Sequence, residues 1–229
     1  MSTKIINGNI FNTQLQTVVN TVNCVGVMGK GIALVFKLRY PEMFDIYGNH
    51  CKNGNITIGK LWLYKGEKNA PFVLNFPTKF HWKYPSKIEY LVKGLEKFCD
   101  TYKDQGITSI AFPLLGAHNG GLDKEEVLSI MIQYLEKCDI PIEIYEYDPN
   151  APDDLFEKFS QNWIALSSLE IKEHTSISKD KIATITSAIE TGKVSSMISL
   201  INERGIGLKT MEKCFRFVMN LQIEQPKLF

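Results

Sequence analysis

The sequence predicts an α/β fold, in which helices cover both faces of a mostly parallel or mixed sheet, followed by a small helical domain. Three observations support this. Up to about residue 148, short apolar segments alternate with longer segments of helical character. A polar, proline-bearing stretch, Asp148–Asp154, then interrupts the chain. Beyond this break the sequence is more polar and only helices are predicted.

Each element of the first part has its own local signal. Lys4–Ile6 and Thr17–Thr21 are short apolar or β-branched segments, which favour strands. Lys30–Arg39 has helical character and ends where Tyr40-Pro41 disfavours further helix. By the same reasoning we expect helices over Glu42–Asn49, Ser86–Tyr102 and Lys124–Lys137, and strands over Lys60–Tyr64, Pro71–Asn75, Thr108–Leu114 and Ile140–Tyr147.

The polar break divides the chain into two predicted domains, residues 1–150 and 151–229. Helices are expected in the second domain over Leu155–Phe159, Ser178–Thr191, Val194–Asn202 and Met211–Leu221.

Composition excludes several classes of protein. The chain has 229 residues, 44% of them hydrophobic and 22% charged, with a net charge of +1, so any contact with nucleic acid must be local. No apolar run is long enough to span a membrane, and the N-terminus lacks the apolar core of a signal peptide. The five cysteines are scattered without a C-x-x-C pair, which indicates reduced thiols in a cytoplasmic protein. The four histidines have no metal-ligand spacing, so neither a metal nor a cofactor is expected.

A glycine-rich segment, residues 20–33, is the strongest functional signal. It reads N-T-V-N-C-V-G-V-M-G-K-G-I-A and connects a predicted strand to a predicted helix. Glycines let the backbone approach a ligand closely, and a helix N-terminus directs N–H groups and a positive dipole end at an anion. The segment therefore predicts a diphosphate site. Its spacing matches neither a Walker A loop nor a G-x-G-x-x-G fingerprint, so a glycine turn that only packs a helix on the sheet remains an alternative.

Three further segments also follow predicted strands: residues 7–11, 75–82 and 114–123. In an open α/β sheet, ligands collect where loops leave the carboxyl ends of the strands. Two glycine-rich loops in one domain, 20–33 and 114–123, are suited to hold a diphosphate from both sides.

Taken together, the motifs N-T-V-N-C-V-G-V-M-G-K-G-I-A, N-F-P-T-K-x-H-W and G-A-H-N-G-G-L-D resemble those of macrodomains. The resemblance covers about residues 1–148 and is to the branch that contains the DarG antitoxins and the terminal ADP-ribose glycohydrolase. It implies a three-layer α/β/α sandwich around a mixed six-stranded sheet. It also implies ADP-ribose as the ligand, removed from thymidine in DNA or from protein carboxylates.

The resemblance implies that Lys79 is the catalytic lysine, although a lysine after Pro77-Thr78 would otherwise be interpreted as a surface charge. Its amine could attack the ring-opened sugar, or it could orient and activate the leaving group, and partial desolvation would lower its pKa. Asp123 reads locally as a helix N-cap, with Glu126 three residues on. The resemblance makes it also the acid/base or ribose-orienting aspartate, which would form a metal-free pair with Lys79.

The resemblance further implies a set of ADP-ribose contacts. Asn20 and Asn23 would contact the distal ribose, unless they only stabilise the turn. Asn9 occupies the place where many macrodomains have an aspartate that recognises adenine, and asparagine offers the acceptor without the charge. Cys24 lacks a histidine base and is interpreted as a packing residue. The complete set is Asn9, Ile10, Asn20, Asn23, Gly26, Val27, Met28, Gly29, Lys30, Gly31, Thr78, Leu115, Gly116, Ala117, His118, Asn119 and Gly120.

A second resemblance lies near residues 198–220, where Gly-Ile-Gly-Leu-Lys-Thr resembles the hairpin of a helix-hairpin-helix module. It implies that Gly205, Gly207, Lys209 and Thr210 hold a DNA phosphate without reading bases. A helix connection that simply needs two glycines is the alternative.

These expectations combine into one functional hypothesis. The protein is expected to be a cytoplasmic, monomeric ADP-ribosyl glycohydrolase that acts on ADP-ribosylated DNA and reverses a DarT-type toxin. The alternatives are a protein-glutamate hydrolase, an O-acetyl-ADP-ribose deacetylase and a non-catalytic ADP-ribose reader.

Overall fold

The computed structural model describes residues 3–66 and 70–220. These residues belong to two compact units that divide between Asp148 and Pro149. Within the described residues, no helix has the length and apolar character needed to cross a membrane.

The first unit is built on a six-stranded mixed sheet in the order β1-β6-β5-β2-β4-β3. All neighbouring strands are parallel except β3, which pairs with β4 in the antiparallel direction. The mixed sheet expected from the sequence is thus confirmed. The strands are β1 Thr3–Gly8, β2 Thr17–Asn23, β3 Trp62–Tyr64, β4 Phe72–Lys79, β5 Ile110–Pro113 and β6 Ile142–Tyr147.

Helices cover both faces of this sheet, and each face has its own apolar core. The helices are α1 Gly31–Arg39, α2 Pro41–Lys52, α3 Ile88–Thr101 and α4 Lys124–Leu135. Residues from α3 and α4 share a core cluster with Phe112 and Ile144, whereas residues from α1 and α2 share another with Ala111 and Tyr145. Because adjacent residues of β5 and β6 fall in opposite clusters, the sheet is buried on both faces and the predicted sandwich is confirmed.

Strand β4 is longer than the sequence indicates. Its expected end was Asn75, ahead of Pro77, but the strand continues to Lys79. The register shifts between Val22 and Asn23 of the neighbouring strand, directly opposite this proline. A proline has no N–H to donate and is tolerated at such an irregularity. The extension places Lys79 at the end of a strand, opposite Asn23.

The second unit is helical, as predicted. Its helices are α5 Asp154–Ala165, α6 Ser168–Thr175, α7 Lys179–Glu190, α8 Met197–Ile201 and α9 Leu208–Asn220. An aromatic cluster of Phe159, Trp163 and Phe217 packs α5 against α9. Helix α6 was not predicted, and α5 is longer than expected. The expected end of the last helix at Leu221 lies outside the described residues.

Candidate active site

The loops that follow β2, β4 and β5 meet at the carboxyl edge of the sheet. The backbone N–H of Cys24 donates to the carbonyl of Phe80 over 3.1 Å, which joins the first loop to the end of β4. Nζ of Lys79 donates to the carbonyl oxygen of Asn119 over 2.6 Å. A Cβ atom on Gly31 would lie only 2.5 Å from Nδ2 of Asn119, so the two glycine-rich loops also touch each other. Three of the four segments expected at this edge are therefore in direct contact.

The first glycine-rich loop is shaped by Asn23. Its Nδ2 donates to the carbonyl of Val27 over 2.5 Å, and its Oδ1 accepts the N–H groups of Val25 and Val27 at 3.0 and 3.3 Å. The hydroxyl of Tyr47 donates to the Asn23 carbonyl over 2.5 Å and anchors the loop to α2. Gly26 has a φ of +79°, which favours glycine there. The turn-stabilising role that the sequence left open is thus present in Asn23, while its contact with a ribose stays a prediction.

Asn20 lies in a layer beneath this loop. Its side chain is fully buried, and Nδ2 donates to Oδ1 of Asn75 over 2.9 Å, tying β2 to β4. Nδ2 of Asn75 in turn approaches the carbonyl of Trp62 at 3.5 Å. Oδ1 of Asn20 is buried without a hydrogen-bond partner. In this arrangement Asn20 supports the sheet under the site.

The N-terminus of α1 is open to an anion. Lys30 is its N-cap in an extended conformation and makes no side-chain cap hydrogen bond, and the first turn contains no acidic residue. Gly29, Lys30 and Gly31 are exposed, whereas Met28 is buried and anchors the loop in the core. The N–H groups and the positive dipole end at the start of α1 therefore have no acidic side chain in that turn to neutralise them.

The second glycine-rich loop, residues 114–123, is held by hydrogen bonds between its own backbone groups. The N–H of Leu122 donates to the carbonyl of Gly116 over 3.1 Å, and Gly116 has a φ of +69°. A Cβ atom on Gly120 would lie 2.1 Å from the Gly116 carbonyl oxygen, so only glycine fits. The N–H of Ser86 donates to the carbonyl of Gly120 over 2.9 Å. The helix expected to begin at Ser86 begins at Ile88 instead, and Ser86 supports this loop.

Several of the predicted contact residues are buried, and a ligand would reach them mainly through their backbone groups: Ile10, Met28, Thr78, Leu115 and Ala117. His118 and Asn119 are exposed at the tip of the second loop, with the His118 ring 6.2 Å from that of Tyr147.

Lys79 occupies the place where the two loops meet. It is half-buried, and desolvation lowers the pKa of its amine from the ordinary value of 10.5. Its carbonyl accepts a hydrogen bond from the Cys24 thiol at 3.4 Å. A partly desolvated amine with a lowered pKa loses its proton more readily than a fully solvated surface lysine.

Asp123 caps helix α4, as its local sequence indicated. Oδ1 accepts the N–H of Glu126 over 3.0 Å, and the side chain is exposed. It borders a cavity of about 540 Å³, which is also lined by Leu122, Lys124, Glu125, Leu128 and Glu146. No hydrogen bond or ion pair joins Asp123 to Lys79 in this structure, because each bonds to a backbone group instead.

Asn9 caps the short 3-10 helix Ile10–Asn12 that follows β1. Its Oδ1 accepts the N–H of Phe11 over 3.2 Å, and its Nδ2 is buried without a partner. The side chain therefore has an unused donor, whereas the adenine contact expected from the sequence would use its acceptor.

Cys24 is a buried packing residue, in agreement with its interpretation from the sequence. Burial, with a smaller contribution from Cys51, raises the pKa of its thiol to about 11, so it is not a ready nucleophile. Across residues 3–66 and 70–220, no cluster of three potential metal ligands occurs.

Comparison with known proteins adds independent findings. Residues 19–131 match the Macro domain family. A protein of Mycobacterium tuberculosis named DNA ADP-ribosyl glycohydrolase is 45% identical over 141 residues, which are 60% of this chain and 40% of that protein. The chain thus spans about two fifths of the length of this curated relative.

Two solved structures are similar in both sequence and fold. The macrodomain of Mycobacterium tuberculosis DarG is 44% identical with a TM-score of 0.60, and the match covers 63% of this chain and 98% of that one. Thermosipho africanus DarTG in complex with ADP-ribose is 36% identical with a TM-score of 0.60, covering 64% of this chain and 42% of that one.

Proposed function

Because the chain belongs to the macrodomain family, we propose that its first unit binds ADP-ribose and removes it from modified DNA, with thymidine as the modified nucleoside. The observation that carries the proposal is the amine of Lys79, which is partly desolvated and donates to the Asn119 carbonyl of the second glycine-rich loop. The name of the relative from Mycobacterium tuberculosis supports DNA as the substrate.

In the proposed complex the diphosphate lies between the two loops. The open N-terminus of α1 supplies N–H groups from Gly29 to Gly31, and residues 115–120 face it from the other side. The distal ribose lies near Asn23 and Lys79, which are opposite each other across β2 and β4. The adenine end lies near Asn9 and Ile10, where the unused Nδ2 of Asn9 can donate to a ring nitrogen.

For the reaction, the amine of Lys79 forms a bond to the anomeric carbon as the bond to the base breaks. The departing base takes the proton that the amine loses on forming this bond, and water then hydrolyses the adduct, releasing ADP-ribose and restoring the amine. The other role open to Lys79 is that of a cation that stabilises the negative charge developing on the leaving base. Asp123 orients the ribose or carries the proton in either version.

The test is release of free ADP-ribose from a thymidine-ADP-ribosylated oligonucleotide. Wild type is expected to release it, and Lys79→Ala is expected to lose at least about a hundredfold in rate, because acid-base or nucleophilic groups contribute on this scale. Lys97→Ala, an exposed lysine on α3, is the matched control and keeps full activity. Tight ADP-ribose binding by a wild type that releases nothing would make the protein a reader. Release only from glutamate-modified protein would identify the protein-directed alternative.

We also propose that the protein counteracts a DarT-type transferase, as a cytoplasmic monomer. The support is a Thermosipho africanus relative, 37% identical over 158 residues, which is named a DNA ADP-ribosyl transferase-DNA ADP-ribosyl glycohydrolase fusion protein. Cells that express such a transferase are expected to survive with the wild-type chain and to die with Lys79→Ala.

A second part of the proposal concerns the connection between α8 and α9, which would hold a DNA phosphate. Gly205 has a φ of +89°, and Gly205, Gly207 and Lys209 are exposed. Thr210 is buried, and its hydroxyl accepts a hydrogen bond from Nζ of Lys181 over 3.2 Å, so its contribution would be through the backbone.

A further inference from the structure

A loop directly beyond Lys79 exposes three aromatic side chains. Phe80, Trp82 and Tyr84 are 59%, 48% and 65% exposed. Among the aromatic residues that the structure describes in 3–66 and 70–220, only these three are exposed. Scattered single apolar side chains are common on a protein surface, but three exposed rings within five residues form a contiguous apolar patch of the kind that marks a binding site. The segment 80–84 is referred to below as the aromatic loop.

The aromatic loop has a fixed shape. The half-buried His81 ring stacks on Trp82 at 5.6 Å and contacts Tyr84 at 5.5 Å. Its carbonyl accepts the N–H of Tyr84 at 3.1 Å, and its Nδ1 accepts the N–H of Lys83 at 3.2 Å. At the start of the loop, the Phe80 carbonyl accepts the N–H of Cys24. The Trp82 and Tyr84 rings are therefore held by His81 before a partner arrives, which reduces the entropy lost on binding.

The charge around these rings is positive. From Lys79 to Lys87 the sequence contains three lysines and no acidic residue. Nζ of Lys83 lies 5.2 Å from the centre of a Trp82 ring, so a cation and an aromatic face are presented together. Aromatic faces interspersed with cations bind single-stranded nucleic acid, since bases stack on the rings and the cations neutralise phosphates. This composition favours DNA over an apolar peptide.

We infer that the aromatic loop is a stacking platform for the bases next to the modified thymidine in a single-stranded DNA substrate, with Lys83 facing a phosphate. The inference rests on the proposed function. Phe80 is adjacent to Lys79, and Trp82 is three residues beyond Lys79, a chain length of at most about 11 Å. The platform is thus beside the reacting amine, where the DNA on either side of the modified nucleotide must pass.

The test compares two substrates, ADP-ribosylated thymidine mononucleotide and the same nucleotide inside a single-stranded oligonucleotide. Trp82→Ala is expected to lower kcat/KM for the oligonucleotide about tenfold, within the range for loss of one base-aromatic stack, and to leave the mononucleotide unaffected. Trp82→Phe keeps most of the activity because it retains an aromatic face. Ile5→Ala removes an exposed apolar side chain from β1 and serves as the control, with no change on either substrate.

Equal losses on both substrates would show that Trp82 only maintains the site, and no loss on the oligonucleotide would show that no base stacks there; either result overturns the inference. A loss confined to ADP-ribosylated peptides would assign the loop to a protein partner and also overturn it. If wild type acts on neither nucleotide substrate, the proposed function itself fails. In that case, the platform is tested by the tryptophan fluorescence of wild type and Trp82→Phe with unmodified oligothymidylate. Quenching in wild type but not in Trp82→Phe supports the platform. Equal quenching in both proteins rejects it.

Discussion

At the scale of single residues, Asn20 and Asn23 show what a sequence can and cannot predict. Asn23 bonds to groups two and four residues away, and the turn-stabilising alternative weighed from the sequence is present in the structure. Asn20 bonds to Asn75, 55 residues distant, and is fully buried. No local pattern encodes that partner, because it depends on β2 and β4 becoming neighbours. Ser86 was misassigned for the same reason, since its partner Gly120 belongs to a distant loop.

The lowered pKa of Lys79 leads to a prediction about pH. Desolvation disfavours the charged amine, so the neutral form becomes available below the ordinary value of 10.5. If the amine is the nucleophile, kcat/KM rises with pH until this lowered pKa is passed and then levels off. We expect this rise in a pH-rate profile with ADP-ribosylated oligonucleotide.

Substitution by arginine checks the result. Lys79→Arg keeps a positive charge but has no neutral form at accessible pH. It is therefore expected to be inactive at every pH. A wild-type rate that falls above the pKa, together with an active Lys79→Arg, would instead assign Lys79 the role of a cation.

At the scale of elements, prediction succeeded where the apolar pattern is strong and failed where another signal determines the structure. The strands and helices of the first unit follow the predicted alternation. Helix α6 was missed because it buries only Ile171 and Thr175 and shows no apolar stripe. It is defined instead by a capping box of Ser167 and Glu170, a signal that is present in the sequence. Strand β4 was cut short at Pro77, which a register irregularity accommodates.

Helix α4 gives a prediction that separates capping from catalysis. Asp123 accepts the N–H of Glu126, and asparagine caps as well as aspartate. Asp123→Asn should therefore leave the thermal unfolding midpoint nearly unchanged while removing the carboxylate. If the carboxylate takes part in the reaction, this variant loses roughly a hundredfold or more in kcat/KM on ADP-ribosylated oligonucleotide.

Alanine at the same position provides the comparison. Asp123→Ala removes the cap and should cost about 1 kcal/mol of stability in addition to the activity. Full activity in Asp123→Asn combined with lowered stability in Asp123→Ala would make Asp123 a purely structural cap.

At the scale of the whole molecule, the net charge of +1 means that no general positive field attracts DNA. Contacts with a DNA substrate must then come from local groups in each unit. The contacts proposed above are those of the aromatic loop and Lys79 in the first unit and of the connection between α8 and α9 in the second. The amino-acid composition alone predicts that contacts with DNA are local, because the net charge is visible in the sequence. The exposure of the three aromatic rings could be seen only in the structure.

The contribution of the second unit can be measured through salt dependence. Each phosphate contact contributes about 0.7 to the slope of log affinity against log salt for single strands. Lys209→Ala in the full chain is expected to reduce this slope by about 0.7. It should also weaken oligonucleotide binding equally for all sequences, because a phosphate contact carries no base information. Fluorescence anisotropy at several salt concentrations gives both quantities. Lys172→Ala, which removes another exposed lysine, on α6, should change neither. If both variants lower affinity and slope alike, or Lys209→Ala has no effect, the connection only joins two helices.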